Sequence, residues 1–303
     1  MKDYAFLFPG QGSQVIGMGK DLYEKTDLGK KIFKTADEVL GYKLSEICFN
    51  GPEEELKLTH NTQPALLTVS YILFSLLGKT PQIAAGHSLG EYSAVLASGG
   101  LKFEDAVMLV HKRGKYMQEA VPVGKGAMAA IIGTKISEIE EKIKTVSGVV
   151  NLANWNSSSQ IVISGEKDAV EEAVKLINAP KSVMLPVSAP FHSELMLPAQ
   201  EKLSVDIDNT TFSDLKFPII NNVDSKIVSD KEKVKDGLKR QVTGAVLWHK
   251  SMTNLLEEKK INNYLEIGTG RVLSGLIKRT SRELGIDVKI ENIQNFDDLS
   301  KFI

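Results

Sequence analysis

The sequence predicts an α/β protein in two parts, a main body built on a parallel sheet and a smaller insert built on a sheet of its own. Short apolar runs that end at glycine and pass into helical periodicity recur at residues 4–8, 82–86 and 263–267, and such strand-turn-helix units imply a parallel sheet. The middle of the chain changes rhythm and reads strand-helix-strand twice. Its 303 residues, at roughly 150 to a domain, suit about two compact units.

Taken in order, Tyr4-Ala-Phe-Leu-Phe8 is apolar at every position, as a strand buried on both faces should be, and Pro9-Gly10 stops it. Helical segments follow to about residue 78 and include the charge-free stretch 65–77, which is too short for a membrane span and suits a buried core helix. Gln82-Ile-Ala-Ala-Gly86 supplies the next strand, with a glycine-bounded turn and a helix after Ser88. Another helix is expected over 103–120. Strands at 127–132, 149–153, 160–164 and 183–187 then enclose helices at 136–146 and 168–178, the split-βαβ order of a ferredoxin-like unit. Turn signals at Pro122-Val-Gly124 and Ala189-Pro190 bound it, so the insert is set at 124–190 and the main domain at 1–123 with 191–303. The last unit is Asn263-Tyr-Leu-Glu-Ile267, then Gly268-Thr-Gly270 and an apolar face of Val272, Leu273, Leu276 and Ile277.

Composition excludes several function classes. Surface scaling predicts about 12,600 Å² exposed after folding against roughly 48,000 Å² before, so neither disulfide nor metal staple is needed. Lys+Arg 37 against Asp+Glu 38 leaves a net charge of -1 without long same-sign blocks, which argues against bulk binding to nucleic acid or an anionic membrane. A lone cysteine, Cys48, permits no internal disulfide and no cysteine-built zinc cluster. With no basic-then-apolar leader, the cytoplasm is the expected location.

Gly86-His-Ser-Leu-Gly90 fits a nucleophile elbow, because a strand signal precedes it and a helix follows it. Ser88 is the candidate nucleophile, and the N–H of Leu89, at the helix start, can bond a developing oxyanion. Of the five histidines, His192 lies in a loop leaving the insert for the main domain, where catalytic groups collect. His87 should point away from the site, His60 should cap a helix, and His111 and His249 fall within predicted helices beside lysines. Arg113 shares a helix face with Ala106, Val110 and Met117; it must either run along its stem to water or meet a carboxylate or phosphate. The glycines around Gly10 and Gly12, and at Gly268 and Gly270, fail the dinucleotide and Walker patterns, so no nucleotide cofactor is expected. The turn at Gly10 can instead present the N–H of Gln11 to a neighbouring site.

Phe8-Pro-Gly-Gln-Gly-Ser-Gln14, Asn61-Thr-Gln-Pro-Ala-Leu66, Gly86-His-Ser-Leu-Gly-Glu-Tyr92 and Pro190-Phe-His-Ser193 together resemble the malonyl-CoA:acyl carrier protein transacylase family, nearly end to end. The resemblance implies an α/β-hydrolase-like main domain with an inserted ferredoxin-like subdomain. It implies Ser88 as nucleophile, His192 as base, the amides of Gln11 and Leu89 as oxyanion hole, and Arg113 as the holder of the malonyl carboxylate. It also implies that Gln63, Asn156 and Gln160 border the substrate cleft and that the carbonyl of Leu247, just before Trp248, orients His192. Malonyl-CoA and acyl carrier protein are the implied partners, with CoA and phosphopantetheine thioesters as substrates, no cofactor, no metal and a monomeric chain. Ala245, Leu247 and the Glu266-Ile-Gly-Thr-Gly270 turn depart from the family's usual residues. Arg271, Lys278 and Arg279 are candidates for a basic rim facing an acidic carrier. A serine esterase or thioesterase would share the serine and histidine without needing Arg113, and a non-catalytic scaffold would need none of the three.

Overall fold

The computed structural model describes residues 1–187 and 189–303. Among them ten strands form two sheets: β1 Tyr4–Phe8, β2 Ile83–Gly86, β3 Gly126–Ile132, β4 Val150–Ser157, β5 Gln160–Glu166, β6 Lys181–Met184, β7 Ile219–Ile220, β8 Ile227–Val228, β9 Asn263–Ile267 and β10 Lys289–Ile293. The larger sheet runs β10-β9-β1-β2-β7-β8 and is parallel except for the terminal β7-β8 pair. Its central strand, β1, is buried at all five positions. Phe6 and Phe8 pack into one apolar core with the Thr59–Leu77 helix, while Ala5 and Leu7 pack into a second with Trp248, Tyr264 and Ile277. Helices therefore cover both faces, which is why the strand shows no polar alternation.

The smaller sheet runs β4-β5-β3-β6 and is antiparallel throughout. Here β3 alternates. Ala127, Ala129 and Ile131 pack with Ile139 and Val170 of the Ile136–Ile143 and Lys167–Ile177 helices, whereas Met128 and Ala130 join Ala153 and Val162 on the opposite face. Strand β4 is tied to the segment before Trp248, outside both sheets, where Trp155 N donates to Val246 O at 2.9 Å and Val246 N to Ala153 O at 2.8 Å.

Three strands lie outside the periodicity reading. β7 and β8 have two residues each, too few for a period, and β10 is a partly exposed edge strand that carries Lys289, Glu291 and Asn292 among its isoleucines. β6 falls at 181–184 instead of 183–187, because Pro186 has no N–H to continue the ladder. The exposed surface is 12773 Å², near the scaling expectation. Among the described residues no helix is long and apolar enough to cross a membrane.

Candidate active site

Strand β2 ends at Gly86 and the next helix, Leu89–Ala97, begins three residues later, so the chain must reverse direction at His87 and Ser88. Ser88 takes φ 52 and ψ -106, on the positive side that side chains avoid. Close backbone packing holds it there. A Cβ at Gly90 would stand 2.0 Å from Phe8 O, and one at Gly10 would stand 2.3 Å from His87 O, so glycine at both positions lets the end of β1 press against the elbow. That contact brings Gln11 beside Ser88, and Gln11, Leu89, Gln63, Arg113 and His192 line one cleft with it. Leu89 is the first helical residue, so its N–H has no partner within the helix.

His192 approaches from the opposite side on the loop that Ser193 pins by donating to Pro190 O at 2.6 Å. It too has positive φ, 58. Its Nε2 lies 2.8 Å from Ser88 Oγ, while Nδ1 faces the carbonyl oxygens of Gln241 at 2.9 Å and Gly244 at 3.1 Å. Two carbonyls can only accept, so Nδ1 carries the proton and Nε2 offers its lone pair to the serine. Burial, then the nearby Arg113 charge, pushes His192 down to about 3, so the ring is neutral at physiological pH. Gln241 is the C-cap of the Lys231–Arg240 helix, where the last carbonyls lack intrahelical partners and carry the negative end of its dipole, and Gly244 lies in the turn that follows.

This corrects one expectation. Leu247 O does not orient His192; it accepts from Ser225 Oγ at 3.2 Å, while Leu247 N donates to Asn222 O at 2.9 Å. The pairing of Val246 with β4 directs that segment toward the insert, and the carbonyls of Gln241, at the helix end, and Gly244, in the turn after it, take the role instead.

Arg113, in the Phe103–Glu119 helix, is 1% exposed and does not reach water. Its Nη1 donates to Gln63 Oε1 at 2.9 Å, and its Nη2 donates to Gln241 Oε1 at 2.9 Å and Ser88 Oγ at 3.1 Å. The guanidinium also lies 5.3 Å from the centre of the Tyr92 ring. These partners are neutral, and among the described residues Arg113 makes no ion pair. A buried cation held only by neutral oxygens favours an arriving anion, one hydrogen bond from the serine.

Asn156 and Gln160 stand apart from the serine. They line an adjoining groove with His87, Arg271 and Arg279, where Asn156 Oδ1 lies 2.8 Å from His87 Nε2 and Arg279 Nη1 donates to Gln160 Oε1 at 3.4 Å. His87 packs on Trp248, with ring centres 5.6 Å apart. His60 lies inside the Thr59–Leu77 helix instead of capping it, and its carbonyl oxygen meets His111 Nδ1 at 2.9 Å. Lys278 lines a separate surface cleft with Arg271.

An acyl transferase domain model matches residues 5–295. The chain belongs to the acyl transferase family. The malonyl CoA-acyl carrier protein transacylase of Bacillus subtilis (strain 168) is 47% identical over 293 residues, covering 94% of this chain and 92% of that protein. The crystal structure of an acyl carrier protein S-malonyltransferase from Vibrio cholerae superposes with a TM-score of 0.94 at 39% identity, covering 99% of this chain and 100% of that one. A type II PKS acyl-carrier protein in complex with its malonyl-transacylase matches with a TM-score of 0.93 at 40% identity, covering 99% of this chain and 98% of that one. As an acyl transferase the chain is an enzyme, and a neutral histidine on a strained serine suits acyl transfer.

Three more residues hold this acyl transferase site together, and of these only Glu91 lies within a motif quoted above. Asn222 Oδ1 accepts from Ser88 N at 2.7 Å, Gln241 Nε2 donates to Ser88 O at 2.9 Å, and Glu91 lies beneath both, 1% exposed. A signal existed for Glu91, since it is the only charged residue in Leu89–Ala97, the same anomaly that marks Arg113. Asn222 and Gln241 carried none, being polar residues in polar surroundings of the sequence.

Proposed function

We propose that this acyltransferase moves a malonyl group from malonyl-CoA to the phosphopantetheine thiol of acyl carrier protein, supplying fatty acid elongation, through a malonyl ester on Ser88. The observation that carries the reading is the buried Arg113, which among the described residues pairs with no carboxylate and lies 3.1 Å from Ser88 Oγ. A substrate acid held there would sit with its acyl carbon beside the nucleophile. The names of the aligned relatives agree with it.

Neutral His192 takes the Ser88 proton as Oγ attacks the thioester carbonyl, and the imidazolium is stabilised by the main-chain carbonyls of Gln241 and Gly244. The amides of Gln11 and Leu89 hold the tetrahedral oxyanion. CoA thiol departs with the proton from His192. The carrier's thiol then enters, loses its proton to His192 and removes the malonyl group. The thioester arms run in the groove bordered by Asn156 and Gln160, and the residues of the chain suffice for the chemistry without a cofactor. On the same reading the architecture is an α/β-hydrolase-like domain, 1–123 and 191–303, with a ferredoxin-like insertion at 124–190, a division supported by the confinement of the antiparallel sheet to β3–β6.

The test is intact-mass spectrometry of the protein mixed with malonyl-CoA, beside Ser88→Ala, followed by holo acyl carrier protein. A malonyl adduct that needs Ser88 and passes to the carrier is the expected result. An adduct released only as free malonate would make the protein a hydrolase, and no adduct would remove the catalytic reading.

A further inference from the structure

Glu91 is buried under the elbow, and among the described residues it makes no ion pair. Its Oε2 accepts from Gln241 Nε2 at 2.8 Å and from Asn222 N at 3.0 Å. Gln241 stands between two neighbours of opposite polarity. Its Nε2 faces the acceptors Glu91 Oε2 and Ser88 O, and its Oε1 faces the donor Arg113 Nη2 at 2.9 Å.

A side-chain amide can turn end for end, exchanging donor for acceptor within nearly the same volume. Arg113 can only donate. The carboxylate of Glu91 can only accept. A reversed Gln241 would set N–H against guanidinium on one side and carbonyl against carboxylate on the other, and both contacts would repel. The carboxylate therefore fixes which end of Gln241 meets Arg113. With Gln63 Oε1 on Nη1 and Gln241 Oε1 on Nη2, the guanidinium is clamped on two sides, and Nη2 is left aimed at Ser88 Oγ.

We propose that Glu91 and the Gln241 side chain form a positioning pair, in which Glu91 acts through Gln241 to hold Arg113 where a substrate carboxylate meets it. The inference rests on the transacylase reading. It is separate from the main-chain carbonyl of Gln241, which serves His192 and survives any side-chain change. It makes the pair a determinant of acyl selectivity, since a neutral acyl group has no carboxylate for Arg113 to receive.

The test compares Gln241→Met, Glu91→Gln and the double variant by kcat/KM for enzyme acylation with malonyl-CoA and with acetyl-CoA. Gln241→Met is expected to lower the malonyl value about a hundredfold and the acetyl value by less than about threefold, as the loss of a charge-assisted bond on one substrate's path requires. Glu91→Gln, which keeps its size, is expected to lower the malonyl value about tenfold with the same selectivity. If Glu91 acts through Gln241, the double variant is no worse than Gln241→Met. Parallel losses for both substrates, or effects that multiply in the double variant, would overturn the proposal and leave the two residues as supports of the elbow alone. Glu91→Gln decides the matter if Gln241→Met does not fold. A wild-type protein that forms no malonyl adduct would sink the underlying transacylase reading, whereas a normal adduct with an unchanged malonyl-to-acetyl ratio in both variants sinks only this inference.

Discussion

The two sheets meet at one cleft and contribute to it in opposite ways. The parallel sheet is apolar along its central strands β1 and β2 and gathers polar groups at the carboxyl ends of its strands, where Ser88, Gln11 and Asn222 follow β2, β1 and β7. Among the described residues the antiparallel insert brings no charged group to the cleft around Ser88; its contribution there is the face of Met128, Asn154, Leu185 and Val187. One sheet supplies reactive groups held by a dense hydrogen-bond network, and the other supplies a wall that shapes and dries the space above them. The difference follows from how each sheet is covered. Strands buried on both faces leave only their ends for chemistry, whereas a sheet with helices on one face keeps the other free to line a cleft.

The largest test of this contrast is Arg113→Ala. Acylation by malonyl-CoA is expected to fall about 10²- to 10³-fold while acetyl-CoA loses far less, measured as rates of acyl-enzyme formation. Equal losses on both substrates would show that the guanidinium serves the elbow and not the substrate. The insert is probed by adjacent residues of one strand. Ala130→Leu, on the cleft face, is expected to raise KM for malonyl-CoA about tenfold with little change in thermal midpoint. Ala129→Leu, on the helix face and 0% exposed, should instead cost about 1–3 kcal/mol of stability by overpacking and leave KM nearly unchanged. Reversed outcomes would place the wall on the wrong face of β3.

The smallest expected effect concerns acid stability. His192, with an ordinary value of 6.5, is held down to about 3 by burial, so between those values the unfolded chain binds a proton that the folded chain does not, and stability falls as pH falls. Glu91 is pushed by burial from 4.5 up to about 7, so the folded chain binds its proton more tightly and stability falls as pH rises through that window. The two oppose each other between about 4.5 and 6.5. Below that, His192 acts alone. His192→Asn is therefore expected to lose a few degrees less of its thermal midpoint than wild type between pH 4.5 and 3.5, checked by calorimetry. An identical slope in both proteins would mean that His192 is not held neutral by its surroundings.

How much could be read in advance depended on whether a signal was local. The elbow, the β1 turn and the alternation in the insert are local, and the structure has strands and helices close to where periodicity set them. Arg113 stood out as a charge on an apolar stripe, and the same test applied to Leu89–Ala97 would have found Glu91. Leu247 shows the opposite case. Its placement followed a neighbouring tryptophan along the chain, but a carbonyl's direction depends on which strand or helix end its peptide joins, and here Val246 joins β4.

By itself the sequence determined the α/β class, the family, the serine on its strained turn and the arginine that had to find a partner, because each rests on residue type and spacing within one segment. Tertiary structure alone decided that Gln241 would meet Ser88, Glu91, Arg113 and His192 at once, across separations of up to 153 residues. Hydrogen bonds of this kind are set by the packing of distant helix ends, and a polar side chain or main-chain oxygen carries no mark of them until the core that surrounds it has closed.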